Sequence, residues 1–166
     1  MSTPIIKINN LSIRYAEESD IKQILQFIKD LAEYEKMADE VVATEELLHE
    51  WIFVKKKAEV IIGELDGQPV THAIFFHNFS TFLGRAGIYI EDIYVKPEHR
   101  GKGIGKLMLK QLAKITVERG CGRLEWLCLD WNKPSIDFYI SIGAELLDDW
   151  TVFRVAGDTL IDLSKD

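Results

Sequence analysis

Arg100-Gly101-Lys102-Gly103-Ile104-Gly105-Lys106 is the stretch on which the reading of this chain turns. Its alternating glycines run into an apolar row at helical spacing: Ile104, Leu107, Met108, Leu112 and Ile115. A helix that opens on glycines leaves its first N–H groups uncovered, and those groups, with the helix dipole, attract phosphate. Arg100 can add a forked contact to an anion. Lys102 and Lys106 stand where the dipole would favour acids, which makes sense if a polyanion offsets them. The run lacks the Gly-x-x-x-x-Gly-Lys-Ser/Thr spacing of a nucleoside triphosphatase. Nor is it Gly-x-Gly-x-x-Gly, because the third glycine comes one residue early. Glu125 could act as the ribose-binding acid of a dinucleotide site. However, this loop follows an antiparallel meander instead of opening the chain, so that reading ranks low.

Working upstream, Ala86–Val95 reads as a long strand, preceded by a turn over Asn78–Gly84. Gln68–His77 and Ala58–Leu65 read as a hairpin closed by Asp66-Gly67. Lys55-Lys56-Lys57 is a solvated turn. Thr44 caps a second helix, with Glu45 and Glu46 in its first turn and Leu47, Leu48 and Trp51 behind. A first helix runs from Ser19 to about Lys36 on Ile21, Ile24, Leu25, Ile28, Leu31 and Ala32. Glu17, Glu18 and Asp20 suit its positive end. Ser12–Ala16 is the entering strand. Downstream, Gly120 and Gly122 close the glycine-led helix. Arg123–Asp130 reads as an apolar strand and Pro134–Ile142 as a short helix. Ala144–Leu146 and Trp150–Ala156 read as final strands. Hairpins first, then strand–helix–strand, make a three-layer α/β domain with a mixed, mostly antiparallel central sheet flanked by helices.

At 166 residues the chain fits one domain, 1–166, able to bury a core without staples. Its 27 acidic side chains against 20 Lys and Arg give a charge of −7, which disfavours nucleic acid and leaves a cationic ligand open. Cys121 and Cys128 fit neither a disulfide framework nor a zinc or redox motif. Buried free thiols suit a reducing, cytoplasmic setting. No apolar run approaches the ~18 residues of a membrane span. Met1–Asn10 lacks the apolar region of a signal peptide.

These features resemble the GNAT superfamily of N-acetyltransferases. The Arg100–Gly105 run is similar to that family's pyrophosphate loop for acetyl-coenzyme A. Within it, the chain resembles the spermidine/spermine (diamine) acetyltransferase group. The similarity rests on Leu31-Ala32-Glu33-Tyr34-Glu35, Tyr89-Ile90-Glu91-Asp92-Ile93-Tyr94-Val95, Arg100–Gly105, and Trp131-Asn132-Lys133-Pro134-Ser135-Ile136-Asp137-Phe138-Tyr139 followed by Gly143-Ala144. The last segment is the most specific.

The resemblance implies acetyl-coenzyme A as co-substrate, with no metal. Main-chain groups of Ile93 and Val95 would pair with the pantetheine arm like an added strand. The Arg100, Gly101, Lys102, Gly103, Ile104, Gly105 and Lys106 segment would hold the pyrophosphate, and Asn132 and Ser135 would bond the cofactor. Glu91 would be the general base, directly or through water, and Tyr139 the general acid. The chemistry asks for such groups. A cationic amine must lose a proton before it attacks a thioester, and the departing thiolate must gain one. Apolar neighbours would lift the pKa of Glu91 towards the working range. Asp92 points away from Glu91 in a regular strand, and the bulge implied by the resemblance would change that.

The resemblance implies that Glu33, Tyr34 and Glu35 border the acceptor groove; Asp92 and Asp148 (with Asp149) are further acids expected near it, and Trp150 either walls the groove or packs in the core. Spaced carboxylates suit the separated charges of a polyamine. Two departures touch the acceptor side. The segment between the second helix and its hairpin is shorter than in typical diamine enzymes, and Trp150–Asp166 matches only loosely. A polyamine or diamine is the first expectation. Thialysine or another small amine is the alternative. The rivals of another class are a silent coenzyme-A-binding module and a dinucleotide-dependent enzyme. A homodimer, without nucleic-acid or membrane partners, is also expected.

Overall fold

A computed structural model describes residues 5–8 and 10–165. Half of the Met1–Asn10 stretch that bears on a signal peptide, and the last residue of the expected 1–166 domain, lie outside those residues. The strands are β1 (Ile6–Ile8), β2 (Leu11–Tyr15), β3 (Glu59–Leu65), β4 (Gln68–Ser80), β5 (Arg85–Val95) and β6 (Leu124–Trp126). They form one sheet in chain order. Every neighbouring pair is antiparallel except β5 and β6, which run parallel. The helices are α1 (Ile21–Tyr34), α2 (Glu45–Leu48), α3 (Ile104–Glu118), α4 (Lys133–Ser141) and α5 (Gly157–Leu163). The mixed, mostly antiparallel sheet flanked by helices is the expected class. None of the described helices is long and apolar enough to cross a membrane. Two compact units are distinguished, Met1–Leu127 and Cys128–Asp166.

In the first unit α1 and α3 take opposite faces of the sheet. Ile24 of α1 packs with Ile52, Val60, Ile62 and Ile74. Ile104 of α3 packs with Leu11 and Val70, and Met108 lies over Gly63, 3.5 Å from where a Cβ would stand. Arg14 of β2 ties its guanidinium to Asp20 at the foot of α1 (2.7 Å) and to Glu64 of β3 (2.7 Å). Arg119, closing α3, donates to Glu59 of β3 (2.7 Å) and to the Tyr15 hydroxyl (3.2 Å).

Most local expectations match. Thr44 Oγ1 accepts from Leu47 N–H and caps α2. Asp66 and Gly67 both adopt positive φ, the backbone that a two-residue hairpin needs. Of the acids expected at the head of the first helix, Asp20 accepts the Glu17 N–H at 2.8 Å, closing the short turn Glu18–Asp20 that leads into α1. The turn expected at Asn78–Gly84 shrinks to four residues, because Asn78, Phe79 and Ser80 pair with Gly87, Ala86 and Arg85. The strand expected at Arg123–Asp130 is only Leu124–Trp126, since its one neighbour, β5, pairs with it for three residues and then bulges. Ala144–Leu146 and Trp150–Ala156 form no strand among the described residues. Their alternation finds no pairing partner, and α5 follows where no helix was expected. Nor was β1 expected. Cys121 and Cys128 are free, as expected, but only half-buried.

In the second unit, Asn132 precedes α4, and Ser135 and Ile136 donate their N–H groups to its carbonyl (3.1 and 3.0 Å). Lys133 and Asp137 pair along the helix at 2.7 Å. The Phe138 and Tyr139 rings lie 5.5 Å apart.

His72 of β4 is wholly buried, with its ring 4.9 Å from that of Phe27 on α1. Neither ring nitrogen has a hydrogen-bond partner among the described residues. Burial pushes its pKa from 6.5 down to about 3. The unfolded chain therefore takes up a proton that the native chain refuses. The stability this group contributes is complete above pH 6.5 and is lost as the pH falls towards 3. His72→Phe should flatten that acid limb and add about 1–2 kcal/mol at pH 7 by removing two unpaired polar atoms. Urea unfolding at pH 4 and pH 7 reads both effects; an unchanged acid limb would clear His72 as its cause.

Candidate active site

The site is laid out along β5. From Ile88 to Ile90 this strand pairs with β6, and then β6 ends. On its other side the register with β4 jumps from Ile90↔Phe75 to Asp92↔Ile74, which leaves Glu91 as the extra residue of a bulge. The bulge re-aims the strand. Ile90 lies on the α3 face, opposite Phe75, whose ring carries the Arg119 guanidinium at 5.7 Å. Asp92 lies on the α1 face, opposite Ile74, and Tyr94 follows on that face, its ring 6.0 Å from Phe27. In an unbroken strand Ile90 and Asp92 would share a face. Beyond Ile90 the β6-facing edge of β5 has no strand partner among the described residues, so the Ile93 and Val95 segment keeps an open edge for an extended ligand.

The desolvation expected at Glu91 falls instead on its neighbour. Glu91 is exposed at the bulge. Asp92 is pushed up to about 6 by burial, then by the charges of Glu91 and Glu35. Glu35, closing α1, is itself raised by burial. Glu35, Glu91 and Asp92 thus share one electrostatic site, built from the end of α1 and the bulge of β5. A carboxyl with a raised pKa has a sign to work out. The native chain holds the Asp92 proton where the unfolded chain releases it. Stability from this group is therefore present below pH 3.8 and lost as the pH rises through 6. At pH 8 the cost is at most about 3 kcal/mol. Asp92→Asn should raise Tm at pH 8 by roughly 3–8 °C and by little at pH 4. An equal rise at both pH values would assign the gain to packing instead of charge.

The glycine loop behaves as its sequence suggests. Gly101 and Gly103 adopt positive φ (72° and 79°), and Gly103 stands at the head of α3. The Leu107 N–H donates to the Gly103 carbonyl at 3.1 Å. The N–H groups of the turn before it, over 101–106, find no carbonyl among the described residues. That donor set fits a pyrophosphate. The Arg100 side chain turns the other way. Its Nε donates to the Val95 carbonyl (2.9 Å), and its guanidinium lies over the rings of Tyr34 (4.6 Å) and Tyr94 (5.4 Å). Lys102 Nζ donates to the Glu98 carbonyl (2.8 Å).

Glu33 and Tyr34 occupy the last turn of α1 and line a pocket of about 500 Å³ on the α1 side of β5. Asp30, Tyr94, Lys96, Pro97, Glu98 and Arg100 complete it. Sequence reasoning did not single out Asp30, Tyr94, Lys96 or Glu98. The signal available was alternation past the bulge, which puts Tyr94 on the same face as Asp92. In the second unit Ser135 and Tyr139, four apart on α4, share a helical face, and Asn132 stands at the head of that helix three residues before Ser135. Asn132 is buried. Asp148 and Trp150 lie in an exposed turn of that unit.

Glu125, the acid a dinucleotide site would need, accepts from Asn78 Nδ2 (2.7 Å) and pairs with Arg123 (3.0 Å). The sheet has one parallel pair, not the parallel core of a dinucleotide fold. The family model for the acetyltransferase (GNAT) family matches residues 21–144. The chain belongs to the GNAT acetyltransferase family. It is an acetyl-coenzyme-A-dependent acetyltransferase. Among curated relatives, this GNAT enzyme is 40% identical over 164 residues to the thialysine N-epsilon-acetyltransferase of Bos taurus, covering 92% of this chain and 96% of that protein. It is 32% identical to the human spermidine/spermine N(1)-acetyltransferase-like protein 1, covering 92% of this chain and 23% of that longer protein. Among solved structures, an integron cassette protein from the mobile metagenome of V. cholerae superposes with a TM-score of 0.80 at 26% identity, covering 95% of this chain and 99% of that one.

Proposed function

We propose that the enzyme moves an acetyl group from acetyl-coenzyme A to the terminal primary amine of a small amino acid of the thialysine type. The observation that carries this reading is the near full-length similarity to thialysine N-epsilon-acetyltransferase. It favours the alternative acceptor over the polyamine first expected. A polyamine or diamine is the second reading, supported by the clustered carboxylates Glu35, Glu91 and Asp92 and by the spermidine/spermine relative.

Acetyl-coenzyme A supplies the activated acyl group. The 101–106 amides would hold its pyrophosphate, the open β5 edge at Ile93 and Val95 its pantetheine arm, and Asn132 and Ser135 further polar contacts. Glu91, at the bulge, takes the proton of the acceptor ammonium, directly or through water. Asp92 holds that ammonium beside it. The Tyr139 hydroxyl gives a proton to the departing sulfur. Silent coenzyme A binding would need neither Glu91 nor Tyr139. We further read the protein as a cytoplasmic homodimer. The free thiols are in keeping with the first. The exposed Leu146, Trp150, Val152 and Phe153 are in keeping with the second.

The test is release of coenzyme A thiol from acetyl-coenzyme A with thialysine, lysine, spermidine, spermine, putrescine, lysine peptides and aminoglycosides. Thialysine should give the highest kcat/KM. A panel in which spermidine or spermine leads would restore the polyamine reading, and one with no amine-stimulated release would sink both.

A further inference from the structure

We infer that the pocket lined by Asp30, Glu33, Tyr34, Tyr94, Lys96 and Arg100 receives the zwitterionic head of an α-amino-acid acceptor, so that the enzyme reads a carboxylate which a diamine lacks. This rests on the acceptor reading above and names the residues that would impose it.

The first argument is the state of the two cations. Acids outnumber bases in this chain, 27 to 20, and three carboxylates line this pocket: Asp30, Glu33 and Glu98. Yet neither Lys96 nor Arg100 forms an ion pair among the described residues. Lys96 is half-buried and rests its Nζ 5.6 Å from the Phe27 ring centroid. Arg100 spends its Nε on the Val95 carbonyl and sets its guanidinium carbon over the rings of Tyr34 and Tyr94. With its Nε engaged and its carbon over two rings, the guanidinium is anchored at the pocket wall, and it is the side chain whose forked N–H groups suit a carboxylate. Asp30 is steadied by Gln26 Nε2 at 2.7 Å. The wall therefore offers cations and carboxylates side by side without cancelling them. A purely cationic ligand would leave the two bases unmatched, and a purely anionic one would leave the acids unmatched. An amino acid head matches both.

The second argument is span. Asp92 and Tyr94 lie on the same face of β5, two residues apart, which along a strand is roughly 6.5–7 Å. The five bonds between the α-carbon and the terminal nitrogen of lysine or thialysine cover a similar distance. An amine at Glu91 and Asp92 thus sets the α-carbon beside Tyr94, with Lys96 and Arg100 in front of its carboxylate. A diamine of the same length brings an ammonium there as well but no carboxylate, so Lys96 and Arg100 stay unmatched. The pocket's volume, about 500 Å³, holds such a head.

The experiment compares thialysine with its decarboxylated counterpart, bis(2-aminoethyl) sulfide, and with thialysine methyl ester, on the native enzyme and on Lys96→Met and Lys96→Arg. The native enzyme should prefer thialysine to the other two by about tenfold or more in kcat/KM, mainly through KM. Lys96→Met should collapse that preference, and Lys96→Arg should restore most of it. KM for acetyl-coenzyme A is the control. A rise there in Lys96→Met, with the amine preference intact, would give Lys96 to the cofactor and overturn the inference. Equal use of thialysine and its decarboxylated counterpart by the native enzyme would overturn it while leaving acetyl transfer to small amines standing. No transfer to any of the three would instead defeat the acceptor reading on which it rests.

Discussion

Glu91→Gln should lower kcat/KM for the amine by about 10²- to 10⁴-fold at pH 7, with KM for acetyl-coenzyme A little changed. The residual rate should climb about tenfold per pH unit below the amine pKa, because the variant must wait for amine that is already neutral. The experiment also separates Glu91 from Asp92. The Glu91 charge is one of the causes that lift Asp92 to about 6, so Gln at position 91 relieves that repulsion and lowers the Asp92 pKa. If Asp92 were the base, the variant would stay active and the acid limb of its pH profile would move down from about 6. If Glu91 is the base, activity collapses and the limb moves up. A variant with native turnover and a down-shifted limb would transfer the role to Asp92. The exposure of Glu91 is compatible with a base that works at the cleft surface, directly or through water.

How much of this was legible in the sequence depends on the range of the interactions involved. The αL glycines at positions 101 and 103, the Asp66-Gly67 hairpin and the Thr44 cap follow from local chemistry, and all are where the residues put them. The antiparallel run from β3 to β5 followed from its short connections, residues 66–67 and 81–84. The bulge at Glu91 is another matter. It was expected only through the family resemblance: no residue in Tyr89–Val95 announces an extra position by itself, because a bulge is defined by the partner strand's register, here the step between Ile74 and Phe75. The raised pKa was therefore expected one residue early, at Glu91, when in the fold the desolvation falls on half-buried Asp92. The same blindness explains Trp150–Ala156. Alternating Trp150, Val152 and Phe153 promise a strand, but a strand needs a neighbour, and the described residues give it none. The Arg100 side chain shows the converse. Its sequence context speaks only of anions, whereas its seat on Tyr34 and Tyr94 comes from residues distant in the chain or on the far side of the loop.

Tyr139→Phe should cut kcat by about 10²-fold or more and leave KM for acetyl-coenzyme A within about twofold. The substitution removes one oxygen. The ring and its contact with Phe138 are kept, so the helix face shared with Ser135 is undisturbed. Loss confined to kcat means that the hydroxyl acts in the transition state and not in holding the ground-state complex. A general acid leaves a further mark. Its service is needed because a thiolate leaves with a pKa near ~8.5, and it shrinks for leaving groups of lower pKa. An activated acetyl thioester with a more acidic thiol should therefore recover much of the lost rate in Tyr139→Phe but not in Glu91→Gln, whose defect lies on the amine side. Equal turnover of Tyr139→Phe and the native enzyme would remove Tyr139 from the acid role. A loss carried entirely by KM for acetyl-coenzyme A would recast it as a binding residue beside Asn132 and Ser135.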